Sequence, residues 1–121
     1  EVAVRGALTE NDARAAAKSV ASSTLVKSAV HGGDPNWGRI IAALGYSGAE
    51  LDESKIALYI NDVCIMEGGR PIPYFKDAVV LTMSGREITF TLDLNIGNAS
   101  ATAWGCDLSE EYVTFNSAYT T

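Results

Sequence analysis

The segment REITFTLDL, residues 86–94, has the clearest strand pattern in the chain. Its apolar residues recur at every second position, which is typical of a strand with one face against a hydrophobic core. After the turn NIGN, residues 95–98, the segment 99–106 alternates again, with small residues on its inner face. We therefore predict that strands 86–94 and 99–106 pair as an antiparallel hairpin.

Shorter strand patterns lie elsewhere in the chain. Residues 2–5 alternate between apolar and other side chains and are followed by a glycine. KIALYI (55–60) and DVCIM (62–66) predict two strands joined by the tight turn ND. EGGRPIP (67–73) is predicted to be a loop, and EEYVTFN (110–116) a last short strand.

Helical spacing is clearest in residues 9–23, where small apolar residues repeat three and four positions apart. These residues are Ala13, Ala16, Ala17, Val20 and Ala21. Thr9 followed by Asp12 is similar to a capping box at the start of this helix. Residues 23–30 are predicted to form a short second helix or a continuation after a kink. Residues 74–85 are predicted to be helical because their apolar residues recur every four positions.

The stretch GGDPNWGRII, residues 32–41, has glycines at the spacing of a phosphate-binding loop. That loop needs a Lys and then a Ser or Thr after its last glycine, to reach the phosphates and to hold magnesium. This sequence has Arg39 and Ile40 at those two positions. A phosphate-binding loop is therefore excluded.

We predict instead that this stretch starts a helix. Asp34 would cap the helix, Pro35 would occupy its first position, and Trp37 would anchor it to the core. Gly45 would end it. Together these elements predict the α+β class, with an antiparallel or mixed sheet of four or more strands and two to three helices packed on one face.

The composition is that of an ordinary globular protein, with 121 residues of which 47% are apolar and 20% charged. This length predicts a single domain, 1–121. The net charge of −6 argues against a nucleic acid or an anionic membrane surface as the main partner. No apolar run is long enough to span a bilayer. Cys64 and Cys106 fit no metal-binding spacing. They could pair, but buried free thiols in a reducing cytosol are favoured.

No catalytic group can be identified from the residues alone. No Ser lies in a nucleophile elbow and no Cys in a Cys/His signature. The single histidine, His31, follows a helical segment, and the C-terminal end of a helix stabilises a positive charge. The C-terminal NSAYTT, residues 116–121, is either a frayed tail or a docked segment that offers an amide, hydroxyls and a carboxylate to a polar ligand. The residues alone favour the frayed tail.

Three segments together resemble one family, the ornithine acetyltransferases, also called glutamate N-acetyltransferases, of arginine biosynthesis. They are SSTLVKSAVHGGDPNWGRIIAALGYSG (22–48), ASATAWGCDLSEEYV (99–113) and NSAYTT (116–121). They occur in the order and at a spacing similar to those of the family's C-terminal part, whereas MEGGRPIPYFKDAVVLTMSG (66–85) fits more loosely. The motifs DPNWGRI and ATAWGCDL are too specific to arise from composition.

The resemblance implies an enzyme that cuts itself before an internal Thr into an α and a β chain. The new N-terminal Thr takes acetyl from N2-acetylornithine as an acyl-enzyme and passes it to glutamate, without a metal or an organic cofactor. A β chain of this kind begins with Thr, whereas this sequence opens with EVAVRG. We therefore expect the nucleophile upstream of residue 1. Residues 1–121 would be the C-terminal domain of the β chain, inactive alone, in a cytoplasmic α/β hetero-oligomer.

Two substrate-binding positions follow from the resemblance, and no catalytic residue is expected in this chain. The family's binding Asn near the C-terminus matches Asn116, and its Thr or Ser at the very end matches Thr121, so the resemblance favours a docked tail. Alternatives are a related N-terminal-nucleophile amide hydrolase, a paralogue that serves another pathway, and a non-catalytic binding or assembly module. The stretch that contains Arg39 is expected to have a structural role, and a position of Arg39 near the pocket or at a subunit contact is the alternative.

Overall fold

The computed structural model describes residues 1–85 and 87–105, and the backbone of 113–115. Within these residues the strands form one seven-stranded mixed sheet in the order β4-β3-β2-β5-β1-β6-β7. The strands are β1 (Val2–Ala7), β2 (Ala57–Ile60), β3 (Val63–Glu67), β4 (Arg70–Pro71), β5 (Phe90–Asp93), β6 (Ala99–Gly105) and β7 (Val113–Phe115). The helices are α1 (Glu10–Ser22), α2 (Thr24–His31), α3 (Trp37–Gly45) and α4 (Lys76–Met83), with a short 3-10 helix at Glu53–Lys55.

The predicted α+β class is confirmed, but the described residues contain four α-helices where two to three were predicted. α1 and α2 are separate helices because Ser23 between them has an extended backbone, with ψ at 124°. The Ser23 side chain accepts a hydrogen bond from the Val26 N–H at 3.2 Å and so caps α2. At the start of α1, the Thr9 hydroxyl accepts from the Asp12 N–H at 3.1 Å, as predicted. The Asp12 carboxylate accepts instead from the Glu50 N–H at 3.2 Å, so the capping box is only half formed.

The predicted pairing of strands 86–94 and 99–106 is wrong. β1 lies between these two strands, parallel to β5 and antiparallel to β6. The alternating pattern was correct, because Phe90, Leu92 and Leu94 are all buried. Alternation defines which face of a strand is buried, but it does not identify the neighbouring strand.

The connection from β5 to β6 crosses the end of β1. The Leu94 N–H donates to the Arg5 carbonyl and the Ile96 N–H to the Gly6 carbonyl, both at 2.9 Å. Gly97 then passes so close to the Ala7 carbonyl that a Cβ at this position would collide with it. The turn at 95–98 is therefore a crossing over a third strand, not the tip of a hairpin.

The predicted hairpin at residues 55–66 is confirmed, since β2 and β3 pair antiparallel. Asn61 in its turn has φ at 52° and binds the start of β5 through its side chain, whose Oδ1 accepts from the Thr89 N–H at 3.0 Å. The segment predicted as a loop, 67–73, instead contains β4. Gly68 and Gly69 both have positive φ and allow the chain to reverse at once onto β3.

The core lies on one face of the sheet. The small side chains on the inner face of α1 are buried, as predicted from their spacing, and let the helix pack closely on β1 and β6. On the opposite face Arg5 and Asp93 form an ion pair, with Nε and Oδ2 2.9 Å apart, and the guanidinium lies 5.7 Å from the ring centre of Tyr59. The Arg5 side chain is more than half exposed, so this pair adds little stability. Arg5 and Asp93 thus lie on the face of the sheet opposite to the one that α1 covers.

Candidate functional site

A groove of about 840 Å³ opens at the end of the sheet where β1 and β5 begin and β6 ends. The C-terminal ends of α2 and α4 also line this groove. Buried residues such as Val20, Val26 and Met83 contribute to its lining, so its floor is apolar. Its volume is within the range of ligand-binding clefts, about 300–1,000 Å³.

Charged side chains of both signs surround the groove. Lys27 and His31 of α2 line it on one side, and Glu1 and Glu87 beside the strands line it on another. Within the described residues, Lys27 and Glu87 form no ion pair. The C-terminal ends of two helices add partial negative charge. The lining of the groove thus combines basic and acidic residues with an apolar floor. This grouping could not be predicted from the sequence because its members are far apart in the chain.

The predicted cap and anchor of α3 are both wrong. Asn36 is the N-cap, and its Oδ1 accepts a hydrogen bond from the Arg39 N–H at 3.1 Å. Asp34 belongs to the end of α2 and does not cap α3, because its own N–H donates to the Ala29 carbonyl at 2.8 Å. Its carboxylate accepts from the Asn36 side chain at 3.3 Å and so orients the cap. Pro35 is buried but precedes the helix.

Trp37 does not anchor α3, because it is 38% exposed. Ile40 and Leu44, at 2% and 0% exposure, hold the helix to the core instead. The Arg39 guanidinium donates from Nη1 to the Leu25 carbonyl at 3.1 Å, which joins α3 to α2. Arg39 does not line the groove, so its described contact is structural.

Asn36→Ala is expected to destabilise the protein by about 1 kcal/mol through loss of the α3 cap. Asp34→Ala is the matched control, since it removes only the support for that cap, and we expect a smaller loss. Urea unfolding of both variants measures the two effects. A larger loss in Asp34→Ala than in Asn36→Ala would contradict the assignment of Asn36 as the cap.

The two predicted substrate-binding residues, Asn116 and Thr121, lie outside the described residues. The chain is described up to Phe115, whose backbone in β7 is paired with Ala103 of β6. Ala103 is in turn paired with Val2, and Val2 with Phe90. Because β7 runs antiparallel to β6, it passes the groove end of β6 at Val113, opposite Gly105, and Phe115 lies farther from that end.

The other residues singled out in the sequence are His31 and the two cysteines. His31 is the last residue of α2, as predicted. Cys64 is a free thiol but only half-buried, and Cys106 lies outside the described residues. Among the residues that the structure describes, no His, Cys, Asp and Glu side chains group as metal ligands, and no helix is long and apolar enough to cross a membrane. Away from the groove, hydrogen bonds from the Ser54 hydroxyl and N–H lower the pKa of the Asp52 carboxyl.

The fold matches that of a biosynthetic enzyme of known structure. A crystal structure of arginine biosynthesis bifunctional protein ArgJ from Bacillus halodurans superposes with a TM-score of 0.87 at 36% sequence identity. The match covers 92% of this chain and 53% of that one. A sequence model of the ArgJ family matches residues 1–121. The chain therefore belongs to the ArgJ family.

Two curated relatives match the whole of this chain in sequence. The arginine biosynthesis bifunctional protein ArgJ of Symbiobacterium thermophilum is 48% identical over 121 residues, all of this chain and 30% of its own length. The glutamate N-acetyltransferase of Methanosarcina acetivorans is 47% identical over 127 residues, all of this chain and 32% of its own length. The chain thus spans about a third of the length of these relatives.

Proposed function

We propose that this chain is the substrate-contacting C-terminal domain of an N-acetyltransferase that moves acetyl from N2-acetylornithine to glutamate. The observation that carries the proposal is the family match over all 121 residues, with a relative named glutamate N-acetyltransferase at 47% identity. The partners would be an α chain and the upstream part of the β chain, assembled as a cytoplasmic hetero-oligomer. The catalytic nucleophile would lie in that upstream part.

The proposed reaction has two acyl transfers. The hydroxyl of an N-terminal Thr attacks the acetyl carbonyl of N2-acetylornithine, and the Thr α-amine accepts the hydroxyl proton. The amide C–N bond breaks, and ornithine leaves with that proton on its amine. The glutamate amine then attacks the acetyl ester, which yields N-acetylglutamate and restores the Thr hydroxyl. All bonds made and broken involve the substrates and Thr, so no cofactor is required.

Asn116 and Thr121 are proposed as substrate contacts in this reaction. Both substrates carry ammonium or amine, carboxylate and, in the acetylated form, amide groups. An Asn side chain both donates and accepts hydrogen bonds, and Thr121 offers a hydroxyl.

The test is to purify the natural full-length protein and determine its intact masses, its N-terminal sequences and its acetyl transfer. We expect two chains, one of which begins with Thr and contains residues 1–121, and transfer of labelled acetyl from N2-acetylornithine to glutamate. Release of free acetate that glutamate does not compete with would support an amide hydrolase instead. Uncleaved protein without acetyl transfer would leave only a binding module.

A further inference from the structure

The apolar alternation that includes β5 begins before the strand itself. Ile88 belongs to the same alternating series as Phe90 and Leu92 and packs against the core, yet β5 starts only at Phe90. Within the described residues β1 pairs with β5 from Val2 onward, opposite Phe90. The sequence therefore has a strand pattern that extends two residues beyond the pairing of β1 with β5.

The backbone of Ile88 is directed towards the line of β1. Its carbonyl accepts from the Glu1 backbone nitrogen at 2.9 Å, and the Phe90 N–H donates to the Glu1 carbonyl at 2.8 Å. Thr89 points the other way, since its N–H donates to the Asn61 Oδ1 at 3.0 Å. In an extended strand the N–H and C=O of one residue lie on the same side, so the Ile88 N–H also points towards the line of β1. Among the described residues it has no hydrogen-bond acceptor.

On the other side of β1, β6 also extends beyond the pairing. Val2 is paired with Ala103, whereas β6 continues to Gly105. Ile88 and Gly105 both line the groove. Two strands that flank a third lie about 9.5 Å apart, twice the spacing of neighbouring strands. The groove therefore contains a gap of one strand's width between Ile88 and Gly105, which we call the β1 slot.

The β1 slot lies in direct continuation of β1 beyond Glu1. This chain covers 30% of the length of the ArgJ protein of Symbiobacterium thermophilum, and under the proposed function the polypeptide continues upstream of Glu1. We propose that this upstream polypeptide continues β1 into the slot, an inference that rests on the proposed function. In the register of β1, the residue directly before Glu1 lies between Ile88 and Gly105. The carbonyl of the residue before that one accepts from the Ile88 N–H.

The alternation of β1 determines what the first added residue contacts. Val2 and Val4 are buried on the helix-covered side of the sheet, and the residue before Glu1 points to the same side. There it meets the apolar floor of the groove, which Val26 and Met83 line. An apolar residue is therefore expected directly before Glu1, and with it this part of the groove floor becomes part of the core.

Amide hydrogen exchange of the full-length protein without substrate tests the continued strand at single-residue resolution. Each rate is divided by the rate of the same amide in the unfolded chain. We expect the Ile88 N–H to be slowed on the order of 100-fold or more, and the Glu87 N–H by less than about tenfold. Glu87 is the matched control, because it is the next residue and its N–H points away from the slot. The amide of the residue before Glu1 is expected to be as slow as that of Ile88, because it donates to the Gly105 carbonyl.

Four outcomes overturn the proposal. Rapid exchange of the Ile88 amide shows an unpaired edge. Equal protection of Ile88 and Glu87, or rapid exchange of the residue before Glu1, shows a cover that is not this strand. Protection of Ile88 that appears only when N2-acetylornithine is added shows a ligand site. Protection that is lost on dilution shows a second copy of the chain.

Acetyl transfer by the same sample separates this inference from the proposed function. An active transferase with rapid exchange at Ile88 retains the proposed function and overturns the continued strand. Slow exchange at Ile88 and at the residue before Glu1, in a protein that transfers no acetyl, supports the continued strand and overturns the proposed activity.

Discussion

Gly97→Ala is expected to destabilise the protein by about 3 kcal/mol, the upper part of the usual range for overpacking. The chain crosses β1 at this glycine, and an added Cβ would overlap the Ala7 carbonyl and crowd the Leu8 Cα. Both are backbone atoms, so no side-chain rotation can relieve the contact. The 95–98 connection would have to move away from β1. That movement would weaken the 2.9 Å hydrogen bond from the Ile96 N–H to the Gly6 carbonyl. Urea unfolding followed by circular dichroism measures the loss.

Gly45→Ala is the matched control for this prediction. Gly45 is the last residue of α3, and a Cβ at this position has no other atom within 4 Å. Ala favours helix over Gly by up to about 1 kcal/mol, so we expect unchanged or slightly greater stability. Equal stability of the Gly97→Ala and Gly45→Ala proteins would contradict the close crossing of β1 by the 95–98 connection.

The sequence was sufficient for those parts of the fold that depend on local periodicity. The buried face of α1 and the apolar alternation of β5 were both predicted residue by residue, because each follows from the geometry of a single element. The β2–β3 hairpin was also predictable, since its two strands are separated by a two-residue turn. The ArgJ family itself was identified from short motifs distributed along the chain.

Strand order and the groove could not be predicted from such patterns. β1 is inserted between β5 and β6 because of contacts between residues almost 90 positions apart, such as the hydrogen bond from the Phe90 N–H to the Glu1 carbonyl. Lys27 and Glu87 both line the groove for the same reason. The cap of α3 was misplaced by two residues, because Asp34 and Asn36 are both good N-caps in isolation. Only the bond from the Asp34 N–H to the Ala29 carbonyl decides between them.

Asn116→Ala in the full-length protein is expected to lower kcat/KM for acetyl transfer roughly 10- to 100-fold. The reason is the loss of hydrogen bonds to charged substrate groups, each of which contributes about 1.5–3 kcal/mol. Asn98→Ala is the matched control, because Asn98 is an exposed Asn in the 95–98 turn and does not line the groove. We expect its transfer rate to equal that of the natural protein. Thermal unfolding of both variants checks that the loss is not a loss of folding.

The two half-reactions make this test more specific. In the proposed mechanism a single acetyl-enzyme links them, so both substrates would reach the same nucleophile in turn. If Asn116 binds a group that both share, such as the carboxylate, Asn116→Ala slows ornithine release and acetyl transfer to glutamate alike. Slowing of ornithine release alone would place Asn116 at the part of N2-acetylornithine that glutamate lacks. Natural rates in both half-reactions would remove Asn116 from the site, and the docked tail would lose its main support.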